Sequence, residues 1–178
     1  MKIKKKKKSK NCLFKDSNII RIDEKELISN WFEKKPVKMI KLLDSKNGGD
    51  SIRTFASKCA QKYPTIVIVK TTKGFRFGGF TSKSWANGNY TKDNKCFLFS
   101  LDKKEKYNIT DDNNVTYLDS YRCFLFGDVA LLISNNCTSN KNNYLDISSF
   151  TTVSQNYDIN DDEQNFTVSS YEVYQIEY

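Results

Sequence analysis

Residues 63–85 read Tyr63-Pro-Thr-Ile-Val-Ile-Val-Lys-Thr-Thr-Lys-Gly-Phe-Arg-Phe-Gly-Gly-Phe-Thr-Ser-Lys-Ser-Trp85, and this stretch decides the fold. Thr65–Val69 is an unbroken run of β-branched residues, a pattern typical of a strand that is buried on both faces. Thr72–Gly74 supplies a turn in which glycine can adopt a positive φ, and Phe75–Phe80 returns as a second strand. The stretch therefore predicts a central β-hairpin.

Two adjacent glycines, Gly78 and Gly79, lie inside the returning strand. They remove two side chains, which permits either a bulge or the close approach of another stretch of backbone. Trp85 follows the strand and is expected to bury its large ring over the end of the hairpin. We therefore expect a hairpin with an unusual backbone contact in the middle and an aromatic anchor at its end.

Further strands are predicted downstream of the hairpin. They are Phe97–Leu101, Phe124–Phe126 and Val129–Ile133. Consecutive strands that are joined by short turns favour antiparallel pairing. With short helices contributed mainly before Lys62, the chain is predicted to be an α+β domain built on a two-sheet antiparallel β-sandwich.

The last part of the chain is less regular. Asn135–Asn165 is a long, Asn-rich stretch in which only Tyr144–Ile147 and Phe150–Val153 indicate structure. Loops of this length are usually functional or disordered. The closing segment, Phe166–Tyr178, has the alternation of a strand, and a bend is expected at Ser169-Ser170.

Two helices are predicted before the hairpin, and each has a candidate N-terminal cap. Asp50 precedes an apolar stripe with the spacing of one helix face. The stripe consists of Ile52, Phe55, Ala56 and Cys59. Asp23 with Glu26 resembles a capping box in front of a second apolar stripe, and Pro36 keeps that helix from continuing.

These motifs, taken in series, resemble the TLDc domain, which is found in the oxidation resistance proteins and their relatives. The matching segments are Leu42–Ser45, Asp50–Cys59, the hairpin, Cys96–Leu101, Phe126-Gly127, Leu131–Ser134, Asn136–Asn140 and Tyr171–Ile176. The residues that carry the family signature are Phe55, Cys59, Gly74, Gly78, Gly79, Ser84, Trp85, Phe99, Gly127 and Glu172. The resemblance covers roughly residues 18–178 and implies a single TLDc domain, preceded by a Lys-rich tail at residues 1–17.

The resemblance implies a non-enzymatic interaction domain of the oxidative-stress response that binds and regulates the vacuolar proton-pumping ATPase. Loops carry such functions most often, so a protein partner is expected to contact residues 81–89, 135–143 and the acidic segment 158–163. The candidate partner-binding residues are Thr81, Lys83, Asn87, Asn89, Asn136 and Asn140.

Length and composition limit the class of protein. A chain of 178 residues suits one domain with a substantial core. Its sequence contains no apolar run near the ~20 residues that span a bilayer and no apolar signal-peptide core, and position 2 is lysine where myristoylation needs glycine. We therefore expect a cytoplasmic protein without a transmembrane segment, with the nucleus as an alternative location.

The net charge of +8 comes from the N-terminus. Eight of the 29 basic residues and none of the acids lie in residues 1–15, so 21 basic and 21 acidic groups remain for residues 16–178. The run includes Lys4, Lys5, Lys6, Lys7 and Lys8. A block of like charges is expected to be disordered. Four roles of this basic tail are open: an incidental solubilising extension, nuclear import through an importin, nonspecific contact with nucleic acid, and attraction to anionic lipid.

Five cysteines occur without a C-x-x-C pair, and their odd number argues against a secreted disulfide framework. Cys59, Cys96 and Cys123 lie among apolar neighbours and are expected in the core. Cys137 lies in a polar run and is the candidate redox residue, although no basic residue within three positions lowers its pKa. A weak thiol antioxidant is therefore the third functional hypothesis, after a partner-binding domain and a nucleic-acid-associated stress-response factor.

The sequence contains no histidine, which excludes Ser-His-Asp and Cys-His mechanisms within this chain. TLDc relatives often carry histidine after the helix phenylalanine and a His-Asp pair before a later strand; here those positions hold Ala56, Val129 and Ala130. Ser84 lacks the S-x-x-K or G-x-S-x-G context, and the acids lie mostly in loop-like stretches. We therefore expect no catalytic constellation, no metal site and no cofactor.

Overall fold

A computed structural model describes residues 13–85, 88–111, 113–119, 122–150, 158–161 and 163–178. Within these ranges the α-helices are α1 (Glu24–Asn30), α2 (Ser45–Gly48) and α3 (Ile52–Cys59). The strands are β1 (Lys38–Asp44), β2 (Thr65–Thr71), β3 (Arg76–Thr81), β4 (Phe97–Ser100), β5 (Glu105–Asn108), β6 (Thr116–Tyr117), β7 (Arg122–Phe126), β8 (Leu131–Ser134), β9 (Asn143–Leu145), β10 (Asn165–Phe166) and β11 (Val168–Glu177).

The strands form two antiparallel sheets. The six-stranded sheet has the order β1-β11-β2-β3-β4-β5, and the five-stranded sheet has the order β10-β9-β8-β7-β6. The predicted α+β sandwich is therefore confirmed, with all three α-helices before Lys62. The expected bend near Ser169-Ser170 is a register shift between Val168 and Ser170 where β11 pairs with β2.

The central hairpin consists of β2 and β3, which pair in continuous register from Thr65 opposite Thr81 to Lys70 opposite Arg76. Gly74 lies in the connecting turn with φ +99°. Alternate residues of β2 face different cores: Val67 and Val69 face the five-stranded sheet, and Ile66 and Ile68 face the other side. The prediction of a strand buried on both faces is confirmed.

Gly78 and Gly79 allow close approach rather than a bulge, because the β2–β3 register has no shift. A Cβ atom at Gly78 would lie 1.9 Å from the carbonyl oxygen of Val67. A Cβ atom at Gly79 would lie 2.8 Å from the ring of Phe126 in the five-stranded sheet and 2.9 Å from a methyl of Leu98. The first glycine is therefore required by the backbone of β2, and the second by side chains of the core.

The outer face of the six-stranded sheet is covered by residues 13–23, called here the N-terminal segment, and by α1. Leu13 and Phe14 are fully buried, and the Phe14 ring packs edge-on against Tyr174 at 5.0 Å between centroids. The domain therefore begins at residue 13 or earlier, whereas the sequence analysis placed its boundary after residue 17. Most of the Lys-rich tail, including Lys4–Lys8, lies outside the described residues.

Both predicted helix caps differ from the structure. The cap of α3 is Ser51, whose hydroxyl accepts a hydrogen bond from the Thr54 amide. The carboxylate of the adjacent Asp50 instead accepts a hydrogen bond from the Thr138 hydroxyl. Asp23 precedes α1 but makes no side-chain cap. Neighbouring polar residues are equally good caps by type, so the choice depends on tertiary partners that the local pattern does not contain.

The Asn-rich stretch is more regular than predicted. Between residues 135 and 150 it contains 3₁₀ turns at Cys137–Ser139 and Ile147–Ser149 together with strand β9. Buried Asn143 supports this region, because its side chain donates to the carbonyls of Cys137 and Phe166 and accepts from the Ser134 amide. The rest of the predicted Phe150–Val153 element, residues 151–153, lies outside the described residues.

We predict that Gly78→Ala destabilises the domain by about 2–3 kcal/mol and Gly79→Ala by about 1–2 kcal/mol, within the range of overpacking defects. The first is costlier because strand backbone yields less than the side chains that Gly79 meets. Urea denaturation would measure both, with the exposed Lys62→Ala expected within about 0.5 kcal/mol of the parent. An unchanged midpoint for Gly78→Ala would contradict the close approach.

Candidate interaction site

Cys137, the candidate redox residue, is fully buried, so its polar sequence neighbours do not indicate its environment. Burial raises the pKa of its thiol well above the usual range, and the nearby charge of Asp50 raises it further. Burial likewise raises the pKa of Cys59 to about 12. Because the thiolate is the reactive form, this arrangement suppresses thiol chemistry at Cys137.

Signature residues of the predicted family lie mainly in the core or in turns. Phe55 stacks on Phe124 at 4.5 Å, and Trp85 packs edge-on against Phe55 while its indole donates to Thr65 Oγ1. Gly127 occupies the β7–β8 turn with φ +63°. The fully buried Cys59 and Phe99 are also core residues, and Ser84 is half-buried in the loop after β3.

Glu172 is a buried carboxylate whose hydrogen bonds hold the N-terminal segment. Its oxygens accept from the Ser17 hydroxyl at 2.6 Å, the Asn18 amide at 2.9 Å and the Tyr174 hydroxyl at 2.9 Å. The Lys41 ammonium pairs with it at 3.0 Å. These contacts give Glu172 a structural role in fastening residues 17 and 18 to β11 and β1.

A second ionic network surrounds Arg76 on β3. Its guanidinium donates to both Glu24 oxygens, at 2.8 and 2.7 Å, and to Asp102 Oδ1 at 2.6 and 3.0 Å. A further N–H points to the Ile19 carbonyl at 3.3 Å. The network therefore joins α1, the N-terminal segment and the turn after β4.

The loops predicted to bind a partner do not form one surface. The 81–89 loop meets the end of α3 through the Trp85 amide and Ala60 carbonyl, whereas the 135–143 loop meets its beginning through Asp50. The acidic segment lies at the β2–β3 turn, where Glu163 pairs with Lys73 at 2.5 Å. That turn is at the opposite end of β3 from Thr81.

Individual candidates in these loops also differ from the prediction. Thr81 is fully buried and donates to Asp93, so it is not available to a partner. Asn140 is half-buried, donates to the carbonyls of residues 135 and 136, and accepts from the Ser134 hydroxyl. Lys83, Asn89 and Asn136 are exposed. Asn87 lies outside the described residues.

A groove that was not predicted from the sequence lies at the end of the outer face of the six-stranded sheet. This aromatic groove has a volume of about 450 Å³. Its floor is formed by Phe32, Phe80 and Phe97, and half-buried Trp31 and exposed Tyr178 lie in its walls. It is completed by Glu33, Lys34, Pro64, Ser82, Asn94, Lys95, Lys106 and Asn108. Volumes of this size are typical of binding sites.

The groove forms where the cover of the outer face ends. The chain leaves α1 at Trp31, and Phe32 packs edge-on against Phe80 at 5.1 Å. Phe80 in turn stacks on Phe97 at 5.0 Å across the β3–β4 pair. Beyond Phe32 the outer face has no further helix in the described part of the chain, so the walls formed by Trp31 and Tyr178 stay partly exposed above the buried floor.

Lysines surround the opening of the aromatic groove. Lys106 lies over the Phe97 ring at 5.2 Å and donates to the Trp31 carbonyl, and Lys34 lies over the Tyr178 ring at 5.8 Å. Lys95 pairs with Glu33 at 2.7 Å. The hydrogen bond from Lys95 to Glu33 raises the pKa of that ammonium, so the amine stays charged at neutral pH.

Local sequence patterns gave little sign of this groove, because its residues come from several separate parts of the chain. One signal was present: Trp31 and Phe32 stand at the end of a predicted helix and next to Glu33, Lys34 and Lys35. Aromatic residues beside exposed charges are common at binding surfaces. Only pairing of β3 with β4 brings Lys95 and Phe97 beside them.

The fold and these signature positions agree with the comparison to known families. Residues 13–177 match the TLDc domain. The chain therefore belongs to the TLDc domain family. Because the match begins at residue 13, it includes the N-terminal segment that the structure places in the core.

Individual relatives are similar over a shorter stretch. The MTOR-associated protein MEAK7 of Danio rerio is 41% identical over 61 residues, which is 34% of this chain and 14% of that protein. The Gallus gallus protein of the same name is 44% identical over 61 residues, or 34% and 13%. The Xenopus laevis protein is 35% identical over 75 residues, or 41% and 16%. The chain thus spans less than one fifth of the length of these curated relatives.

The described ranges of the chain also bear on two other kinds of site. No helix in these ranges has the length and apolar character needed to cross a membrane. In the same ranges, no three side chains among cysteines, aspartates and glutamates are grouped so as to hold a metal ion.

We predict that the four buried thiols do not react with a disulfide reagent near pH 8 in the native protein. The test uses a Cys12→Ser variant, so that the signal comes from Cys59, Cys96, Cys123 and Cys137 alone. All four should react once urea unfolds the chain, because burial is what raises their pKa values. Rapid native labelling that disappears in an added Cys137→Ser variant would restore the redox hypothesis.

Proposed function

We propose that this TLDc domain acts by binding a protein partner at the aromatic groove, and that it thereby binds and regulates the vacuolar proton-pumping ATPase. Protection against oxidative stress follows from that regulation and needs no chemistry by this chain. The observation that carries the proposal is an open aromatic groove in a protein whose predicted reactive thiol is buried.

Family membership supports the binding of a protein partner, because the resemblance to the TLDc family implies a domain that acts through such partners. The relatives' printed name, MTOR-associated protein, also describes an association with another protein. The choice of the vacuolar ATPase as partner comes from the resemblance to the wider family. The expected location of this protein is the cytoplasm, where it could contact the vacuolar ATPase.

The groove is a better docking site than the predicted loops for a physical reason. Binding at hot spots depends on aromatic side chains that become fully desolvated, with polar groups at the rim. The groove offers half-buried Trp31 and 42% exposed Tyr178 beside lysines. The three loops, in contrast, lie apart on the domain and offer mainly polar or acidic side chains.

We predict that a Trp31→Ser, Tyr178→Ser double variant captures at least about tenfold less vacuolar ATPase than the parent, since truncation of hot-spot aromatics commonly costs 2 kcal/mol or more. Immobilised full chain would be incubated with solubilised membranes of the native cell and proton-pump subunits quantified by immunoblot. Bafilomycin-sensitive ATP hydrolysis by vacuolar vesicles, with and without the protein, measures regulation.

The control replaces one aliphatic and one aromatic residue that are more exposed than the groove pair and lie outside the groove, Ile22→Ser with Tyr63→Ser. It should bind like the parent. Melting curves establish that both double variants are folded. Equal loss in the two variants would contradict the groove as docking site, and absence of capture by the parent would contradict the vacuolar ATPase as partner. Loss of capture by Lys83→Glu alone would instead favour the 81–89 loop.

A second candidate function, a nucleic-acid-associated stress-response factor in the nucleus, is favoured by the Lys-rich tail. Its eight lysines and lack of acid in residues 1–15 suit nonspecific contact with phosphates or an importin. The remainder of the chain is electrically balanced, so it adds no general attraction.

We predict that deletion of Met1–Lys10 leaves the melting temperature nearly unchanged and abolishes most binding to DNA or heparin at low salt. The deletion ends before Leu13 and Phe14, because these side chains belong to the core. Fluorescence anisotropy at several salt concentrations measures the loss. Tight, salt-resistant and sequence-selective binding by the truncated protein would show that the fold itself reads nucleic acid.

A further inference from the structure

We propose that the aromatic groove binds an acidic peptide segment carrying an aromatic or large aliphatic anchor, and that Glu33 is a built-in competitor for the acid of that segment. This inference rests on the proposed function, because it names the chemistry of the partner at the same groove. The anchor occupies the space between Trp31 and Tyr178, and the partner's carboxylate replaces Glu33 at Lys95.

The charge of the groove favours an acidic occupant. Its lining holds the three lysines Lys34, Lys95 and Lys106 and the single acid Glu33. Lys34 and Lys106 rest over aromatic rings rather than beside carboxylates, so each ammonium keeps donors for an incoming anion. Complementary charge steers a partner to such a site and fixes its orientation.

The Lys95–Glu33 ion pair is exposed enough for a partner carboxylate to replace Glu33. The side chains are 53% and 73% exposed, and exposed pairs of this kind add little to stability. The pair joins the segment after α1 to the connection between β3 and β4, on the two sides of the opening. A partner carboxylate that takes the place of Glu33 therefore keeps Lys95 paired and opens the path to the aromatic floor.

The size and wall of the groove favour a peptide anchor. A volume of about 450 Å³ is sufficient for a large side chain with part of the adjoining backbone. Asn94, Ser82 and Asn108 lie in the lining and supply hydrogen-bonding groups for peptide amides and carbonyls. Aromatic, polar and cationic groups thus occur together, as they do in peptide-recognition grooves.

Single-stranded nucleic acid is the other polyanion that aromatic and basic residues bind, and the geometry disfavours it. Bases stack on open ring faces. Phe32, Phe80 and Phe97 are at least 93% buried and their faces are used by one another.

The test is selection from a random dodecapeptide library on the immobilised full chain. Peptides that bind the Lys-rich tail are first removed on a full-length variant with Lys34→Gln, Lys95→Gln and Lys106→Gln, which retains the tail. We expect the remaining peptides to be enriched in acids next to an aromatic or large aliphatic residue. Selection without an acidic bias would overturn the proposal.

Charge variants then test the assigned roles with one selected peptide, measured by fluorescence anisotropy. Lys95→Gln should weaken binding about twofold to fivefold, the range expected of an exposed ion pair, and Glu33→Gln should tighten it by a similar factor, because the competitor is removed. The exposed Lys62→Gln serves as the matched control and should bind like the parent. Melting curves of each variant separate loss of binding from loss of the fold.

Two results would contradict the role of Glu33 or the peptide as the ligand. Unchanged or weaker binding by Glu33→Gln contradicts competition by Glu33. Displacement of the peptide by a dT12 oligonucleotide, measured on the protein that lacks Met1–Lys10, indicates that the groove binds nucleic acid. Failure of the peptide selection while vacuolar ATPase capture still depends on Trp31 and Tyr178 would reject this inference alone. Successful selection without ATPase capture would reject the named partner alone.

Discussion

The structure depends on one constraint: the six-stranded sheet is apolar on both faces and therefore needs two covers. The five-stranded sheet and α3 cover the inner face, where Val67 and Val69 lie in the larger core cluster. The N-terminal segment and α1 cover the outer face, above Ile66 and Ile68. This second cover is short and ends near Phe32. The aromatic groove is the part of the outer face that remains beyond it.

Buried ionic groups hold the outer cover in a single position. Arg76 ties α1 to β3 through Glu24, while Glu172 ties residues 17 and 18 to β11. Removing one partner of such a buried pair typically costs 3–5 kcal/mol, because the other charge is left uncompensated. The net gain over an apolar pair is much smaller, so these groups fix where the cover lies more than they stabilise it.

The sequence predicts those features that local patterns encode and misses those that need tertiary contacts. The β2–β3 hairpin follows from the β-branched run and from Gly74, and family membership follows from a series of such motifs. The cap of α3 and the burial of Cys137 do not, since both depend on packing between α3 and the 135–143 region. Likewise, residues 13 and 14 read as part of a basic tail, although Leu13 and Phe14 are buried against the outer face of the six-stranded sheet. The groove is not predicted because the residues after α1, the central strands and Tyr178 each contribute to it.

Ion pairs between a basic side chain and a glutamate serve two purposes in this domain, and burial determines which. Arg76 and Glu24 have side chains that are 5% and 3% exposed, so a partner from outside cannot replace either without opening the core. Lys95 and Glu33 are 53% and 73% exposed, and an incoming carboxylate can replace Glu33 while the fold stays unchanged. The outer face therefore combines a permanent attachment near Arg76 with an exchangeable one at the groove. A docking domain needs both, because the partner's binding energy is available for association only if the receiving surface is already held in place.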